Sequence, residues 1–182
     1  MGMAVSVPRY TVDDLDRFPD DGDRYELLDG ILLVTPAPRA VHQIVTSRLR
    51  FILATALQQP GHAHVVGPGA ISEPPRTQLQ PDILVYPARF GPALDWAMVT
   101  EHWLAVEVLS RSSRIYDREF KRDAYFALGV PQVWLVDIAD RSVEVWRARA
   151  THKVVRDAIR WRVPTLDVVV PIAIAELFTG LE

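Results

Sequence analysis

Two acidic residues stand in apolar segments of the chain, where an unpaired carboxylate is costly. Asp82 follows Pro81 at the start of the segment DILVYP, and Glu107 lies inside WLAVEVLS. Burying an ionised carboxylate without a partner costs free energy or raises its pKa, so such residues need a basic neighbour, hydrogen-bond donors or a metal ion. Two carboxylates on adjoining strands supply the hard oxygen ligands that Mg²⁺ and Mn²⁺ prefer. The pair therefore predicts a divalent metal site suited to hydrolysis of a phosphodiester.

Lys121 is the candidate cation of this site. It lies four residues after Asp117 and four before Tyr125. A helix would place these three side chains on one face, from which the lysine can point back toward the ends of the strands.

Glu26 and the pair His42-Gln43 are further candidates with two interpretations each. Alternation places Glu26 on the strand face opposite Tyr25 and Leu27, so it is either a solvent-facing residue or a third acid of the site. His42 and Gln43 begin a predicted helix and either orient a phosphate or water, or lie in an exposed first turn.

The elements that must position these residues alternate between strands and helices. RYELL and ILLVT, joined by Asp29-Gly30, predict a β-hairpin with a type I′ turn. Helical spacing of apolar residues predicts an amphipathic helix over 39–57 and a second helix over 114–128, before Gly129. The segments HAHVV, DILVYP, WLAVEVLS and RWRV predict strands, and QVWLVD and SVEVWR predict a second hairpin.

Three other segments complete the prediction of an α/β fold. TVDDLDRF, with Thr11 and Asp14 in the positions of a capping box, predicts a short helix. The prolines of EPPRTQLQ predict a loop without regular structure, and VVVPIAIAELFTG predicts a strand followed by a helix that begins near Pro171. We expect one mixed sheet covered by helices, in a single domain over 1–182 with a flexible tail at 1–9.

Composition narrows the class of protein. With 182 residues, 49% of them hydrophobic, the chain can bury the core of one globular domain. No apolar segment reaches the about 20 residues of a membrane-spanning helix, and we expect a cytoplasmic protein without a membrane partner. The chain has no cysteine, which excludes thiolate metal sites and a cysteine nucleophile, and it has no P-loop, G-x-S-x-G or dinucleotide fingerprint.

The net charge of −3 is unevenly distributed. Residues 111–122 carry five basic and two acidic side chains, a local charge of +3 that leaves −6 for the rest. Such a segment is either a solvated helix face with ion pairs or a surface for nucleic-acid phosphates.

Several motifs together resemble a known family. YELLDG, the His42-Gln43 pair, PDILVYP and the long segment AVEVLSRSSRIYDREFKRDAYFALGVPQVWLVD are similar to the Uma-type endonuclease family, a branch of the PD-(D/E)XK restriction-endonuclease-like superfamily. The resemblance covers most of the chain. It implies a restriction-endonuclease-like core, which is a mixed β-sheet flanked by α-helices with the site at one edge, and an N-terminal β-hairpin.

The resemblance also implies a metal-dependent endonuclease and a role for each acid. Asp82 and Glu107 match the two acids that would bind Mg²⁺ or Mn²⁺, and Glu26 matches an acid that would bind the metal or orient water. The superfamily's usual lysine stands two residues after the second acid, where this chain has Leu109. The family's helix lysine matches Lys121, which would position or activate the water, or stabilise developing negative charge.

Nucleic acid, with DNA favoured, is the partner that the resemblance implies. The expected phosphate contacts are His42, Gln43, Arg111, Arg114 and Arg118. Arg111 also shares strand parity with Glu107 and is a second candidate for the missing lysine. Cutting both strands of a duplex favours a homodimer.

Two other classes of function stay open. Leu109 and the acidic net charge also fit a degenerate nuclease fold that binds DNA or a protein without cutting, and such a fold would tolerate loss of Asp82. In an ordinary binding or oligomerisation domain Glu107 would be structural, and its substitution would unfold the protein. A two-carboxylate glycosidase ranks lower, because only Trp96 and Trp103 supply aromatic side chains near the acids.

Overall fold

The computed structural model describes residues 8–91, 95–110 and 116–181, and they form twelve strands and three α-helices. The strands are β1 (Arg24–Leu28), β2 (Ile31–Thr35), β3 (Ala63–Val66), β4 (Ile71–Glu73), β5 (Thr77–Leu79), β6 (Ile83–Pro87), β7 (Leu104–Leu109), β8 (Val133–Asp137), β9 (Ser142–Ala148), β10 (Thr151–Val155), β11 (Ala158–Arg162) and β12 (Val169–Ala173). The α-helices are α1 (Ala40–Leu53), α2 (Arg122–Ala127) and α3 (Ile174–Phe178). A π-helical segment, Ala54–Gln58, follows α1, another, Tyr116–Lys121, precedes α2, and 3-10 helices span Val12–Arg17, Ala88–Phe90 and Trp96–Met98.

The strands form three sheets. The largest has six strands in the order β10-β9-β8-β7-β6-β3; β7 and β8 run parallel, and its other neighbours run antiparallel. A four-stranded sheet has the order β2-β1-β5-β4, and β11 and β12 form the third sheet. The predicted class, a mixed sheet with helices and an N-terminal hairpin, is confirmed.

The six-stranded sheet separates two apolar cores. On one face, side chains from α1 and its π-helical continuation, α3 and the two-stranded sheet pack against Ile83, Val106 and Val108. On the other face, residues of the four-stranded sheet and α2 pack against Leu84, Ala105 and Leu109. Because side chains alternate along β7, Glu107 lies on the second face, toward α2.

Local sequence signals explain the elements that lead to the site. Asp29 and Gly30 have positive φ angles of 50° and 76°, as a type I′ turn requires, and β1 pairs with β2 around them. Helix α1 follows Pro36 and Pro38, and it buries side chains at intervals of four residues, Val45, Leu49 and Leu53. The predicted helix at 39–57 is therefore confirmed, with its last turn in π geometry.

Other local predictions need correction. Thr77–Leu79, predicted as loop, is a strand, because Gln78 pairs with Leu27 of β1 and with Ser72 of β4. Pro171 lies in β12 opposite Arg160, and the terminal helix begins at Ile174. In the helix predicted over 114–128, the first residues lie outside the described ones, and the described part is π-helical before it becomes α2.

No helix in the described part of the chain has both the length and the apolar character required to cross a bilayer.

Candidate active site

The two acids predicted from the sequence lie side by side at the end of an antiparallel strand pair. Ile83 of β6 pairs with Val106 of β7, so the next position along the pair brings Asp82 beside Glu107. Both side chains are buried, with 5% and 2% of their residue surfaces exposed. They line a cleft of about 1310 Å³ between α1, the four-stranded sheet and the segment before α2.

Asp82 is held by contacts to both carboxylate oxygens. Its Oδ2 accepts a hydrogen bond from the backbone N–H of Val108 at 2.8 Å and lies 3.0 Å from Nε2 of His42. Its Oδ1 accepts a hydrogen bond from Nη2 of Arg24 at 3.1 Å. Burial alone would raise the pKa of this carboxyl, but the His42 contact, the Arg24 charge and the Val108 N–H outweigh it and hold the pKa below its ordinary value of 3.8.

Lys121 joins the two other carboxylates. Its Nζ lies 3.1 Å from Oε1 of Glu107 and 2.8 Å from Oε2 of Glu26. The Glu107 oxygen also accepts a hydrogen bond from the hydroxyl of Tyr125, which shares the helix face with Lys121 as the spacing predicted. The other oxygen of Glu26 accepts the backbone N–H of Gln80 at 2.6 Å. Glu26 is fully buried, so its interpretation as a solvent-facing residue is wrong.

The predicted nucleic-acid contacts have different surroundings. His42 is buried against Asp82, so the exposed first turn is wrong for it, whereas Gln43 is exposed at the cleft. Arg118 directs its guanidinium to the carboxylates of Asp137 and Glu144. Arg111 and Arg114 lie outside the described residues. For all five residues, contact with nucleic acid stays a prediction.

Four contacts of the site were missed in the sequence, one of them the hydrogen bond from the backbone N–H of Val108 to Asp82. Arg24 contacts Asp82, the hydroxyl of Tyr125 contacts Glu107, and the backbone of Gln80 contacts Glu26. The sequence contained a signal for Arg24. It stands two residues before Glu26 in β1, so the two side chains point to the same face of the strand. No sequence signal marks Gln80, since its contribution is a backbone N–H.

The donors of the cleft fit a divalent metal ion in their chemistry. Asp82, Glu107 and Glu26 offer the hard oxygen atoms that Mg²⁺ and Mn²⁺ take. Oε2 of Glu26 is buried and forms an ion pair with Nζ of Lys121 at 2.8 Å. Because a carboxylate oxygen has two lone pairs, it can accept a second ligand. In residues 8–91, 95–110 and 116–181, however, no three His, Asp or Glu side chains are already grouped to hold a metal. Basic side chains contact these carboxylates instead: Arg24 contacts Asp82, and Lys121 lies between Glu26 and Glu107.

Comparison with known proteins agrees with the fold and the motifs. Residues 12–173 match the Uma2 family, described as "Putative restriction endonuclease", and the chain belongs to this family. A similar solved structure is a "putative nuclease belonging to DUF820 from Anabaena variabilis ATCC 29413". It has a TM-score of 0.73 and 17% sequence identity over 92% of this chain and 97% of that chain, which supports the fold. No curated protein matches the chain. Family and fold together support a nuclease.

Proposed function

We propose that this protein is a Mg²⁺- or Mn²⁺-dependent endonuclease that hydrolyses phosphodiester bonds of DNA. The position of Lys121 carries the proposal, because its ammonium group contacts Glu26 and Glu107 in the cleft that also contains Asp82. The superfamily's usual lysine position holds Leu109, which packs into the core of the second sheet face. A lysine from the helical segment before α2 thus supplies the missing cation.

Each charged group has a distinct role in the proposed reaction. Asp82 and Glu107 would hold the metal ion, with Glu26 as a further ligand or as the group that orients a water molecule. When bound, a metal ion at these residues would supply a bound water of lowered pKa and would offset charge on the phosphate. Lys121 donates hydrogen bonds to the water or to a phosphate oxygen and stabilises the charge that develops there.

Surrounding groups fix the two acids before substrate binds. The N–H of Val108 and the ring of His42 orient Asp82, and the hydroxyl of Tyr125 orients Glu107. Preorganised groups of this kind contribute to catalysis because they need not reorient during the reaction.

The charge around the cleft favours one side for the nucleic acid. Asp16, Asp20 and Asp23 line the wall formed by the N-terminal segment, whereas Arg39 and Gln43 line the wall at the start of α1. Phosphates are repelled by the first wall and attracted by the second. We therefore place the DNA backbone over the start of α1.

A second candidate function is a fold that binds nucleic acid without cutting it. It is favoured by Leu109 at the usual lysine position and by the lack, among the described residues, of a ready group of metal ligands. The two candidates differ in whether Asp82 is needed for a chemical step.

A nicking assay with matched aspartate variants separates them. Supercoiled plasmid, single-stranded DNA and RNA are incubated with wild type, Asp82→Asn and Asp167→Asn in Mg²⁺, Mn²⁺ or a chelator. Asp167 is a suitable control because its side chain is fully exposed and pairs only with exposed Arg162 among the described residues.

We expect metal-dependent cutting of DNA by wild type and Asp167→Asn, and a rate reduced about 100-fold or more in folded Asp82→Asn. Equal cutting by all three would refute the assigned site. Absence of cutting by folded wild type on all three substrates would support the second candidate.

A further inference from the structure

Arg24 is positioned to interact with the acids of the site. It begins β1, and its side chain is 19% exposed in the cleft. One guanidinium nitrogen, Nη2, donates to Oδ1 of Asp82, and the other, Nη1, donates to the backbone carbonyl of Gln80 at 3.0 Å. A guanidinium does not lose its proton in proteins, so Arg24 is cationic beside these acids.

The two oxygens of Asp82 are held in different ways. Oδ2 contacts the backbone N–H of Val108 and the ring of His42, and both residues are buried. Oδ1 contacts a long, partly exposed side chain that belongs to neither apolar core. Oδ1 is therefore the oxygen of Asp82 that a metal ion would coordinate most readily. The guanidinium of Arg24 contacts this same oxygen.

We propose that Arg24 competes with the divalent metal ion for Oδ1 of Asp82, and that metal binding transfers its guanidinium to a phosphate of the nucleic acid. This inference rests on the proposed function. A doubly charged ion and a guanidinium repel each other at one carboxylate oxygen, so each lowers the affinity of that oxygen for the other. The hydrogen bond from Nη1 to the backbone carbonyl of Gln80 keeps the released guanidinium in the cleft. The planar guanidinium is suited to contact two phosphate oxygens.

The exchange couples the two binding events. A bound metal ion releases Arg24 to contact a phosphate. A bound phosphate in turn draws Arg24 away from Oδ1 of Asp82, which is then available to the metal ion. By thermodynamic linkage each then raises the affinity for the other by the same factor. The enzyme would keep its metal most firmly when nucleic acid is present.

The test compares metal affinity and DNA affinity in three full-length proteins: wild type, Arg24→Met and Arg17→Met. Arg17 is the matched control, since it is exposed, pairs with Asp14 and contacts none of the site carboxylates. Mn²⁺ affinity is measured by isothermal titration calorimetry without DNA. Affinity for a short labelled duplex is measured by fluorescence anisotropy with and without Ca²⁺, after thermal unfolding has shown that each protein is folded.

We expect Arg24→Met to bind Mn²⁺ about tenfold more tightly than wild type, the equivalent of one charge-assisted hydrogen bond. We also expect it to bind DNA more weakly in Ca²⁺ and to lose most of the Ca²⁺-dependent gain in DNA affinity. Arg17→Met should match wild type. Arg24→Lys, which keeps the charge and loses the fork, should be intermediate in Mn²⁺ affinity, and it provides the test if Arg24→Met does not fold.

Failure of this inference differs from failure of the proposed function. If wild type binds Mn²⁺ and cuts DNA but Arg24→Met binds Mn²⁺ no more tightly, the role of Arg24 is overturned and the nuclease stands. If neither folded protein binds Mn²⁺, both proposals are overturned.

Discussion

Lys121→Met removes the ammonium group that lies between two buried carboxylates. The exposed fractions of the side chains of Lys121, Glu26 and Glu107 are only 4%, 0% and 3%, so little water reaches the two carboxylates to offset the loss of the cation. Methionine keeps the length and apolar stem of lysine, which limits the effect on packing. Breaking a buried ion pair by removing one partner costs about 3–5 kcal/mol. We expect a loss of this size, and a Tm lower by roughly 10 °C.

The chain contains a second lysine that serves as a control. Lys153 is exposed on β10, and Lys153→Met should change the free energy of unfolding by less than about 0.5 kcal/mol. Equilibrium urea unfolding at neutral pH measures both variants. The double variant Lys121→Met/Glu26→Gln should recover about 1–3 kcal/mol of the loss, because it leaves one fewer buried charge without its cation. If Lys121→Met is as stable as Lys153→Met, the buried ion pairs do not exist in solution and the reasoning about the site fails.

Three further predictions concern groups around the site and the core. Tyr125→Phe removes the hydroxyl that donates to Glu107 and should lower the free energy of unfolding by about 1–2 kcal/mol in urea titrations; an unchanged midpoint would contradict that bond. Burial lowers the pKa of His102 from 6.5 to about 4, against an opposing effect of Glu101, so its contribution to stability is full above pH 6.5 and is lost as pH falls toward 4. Wild type should lose about 3 kcal/mol from this group over that range, and His102→Phe should lack this part of the slope in pH-dependent unfolding; identical slopes would refute the assignment. In Gly67→Ala the new Cβ would lie 2.4 Å from the backbone oxygen of Asp82, so we expect lower thermal stability and weaker cutting, and wild-type values for both would contradict the close packing.

Local signals in the sequence were sufficient for several elements of the fold. The Asp29-Gly30 turn and the helical spacing over 39–57 depend on neighbouring residues, and both predictions are confirmed. The strand Thr77–Leu79 was missed because the prolines of EPPRTQLQ argue against regular structure across the whole segment, whereas they lie in the turn between β4 and β5. The prediction of one sheet also did not reveal that the hairpin belongs to a separate four-stranded sheet. The single domain with a tail at 1–9 and the homodimer stay predictions.

The site was only partly accessible to sequence reasoning. Strand alternation gave the side of β1 on which Glu26 lies but not that this side is buried, which depends on packing against the helical segment that carries Lys121. Helical spacing likewise placed Lys121 and Tyr125 on one face, but their distance from Glu107 follows from tertiary structure. The competition at Asp82 required Arg24 to be seen in contact with it.

The most direct test of the central claim moves the lysine back to the usual superfamily position. The rate of Mg²⁺-dependent plasmid nicking is measured for wild type, Lys121→Met and Leu109→Lys/Lys121→Met, at a temperature where each is shown to be folded. Leu109 is two residues after Glu107 in β7, so the side chain of a lysine at this position would point to the same sheet face as Glu107. We predict cutting by wild type, a rate at least about 100-fold lower in Lys121→Met, and partial recovery in the double variant. Cutting by folded Lys121→Met at the wild-type rate would contradict the claim that this lysine completes the active site.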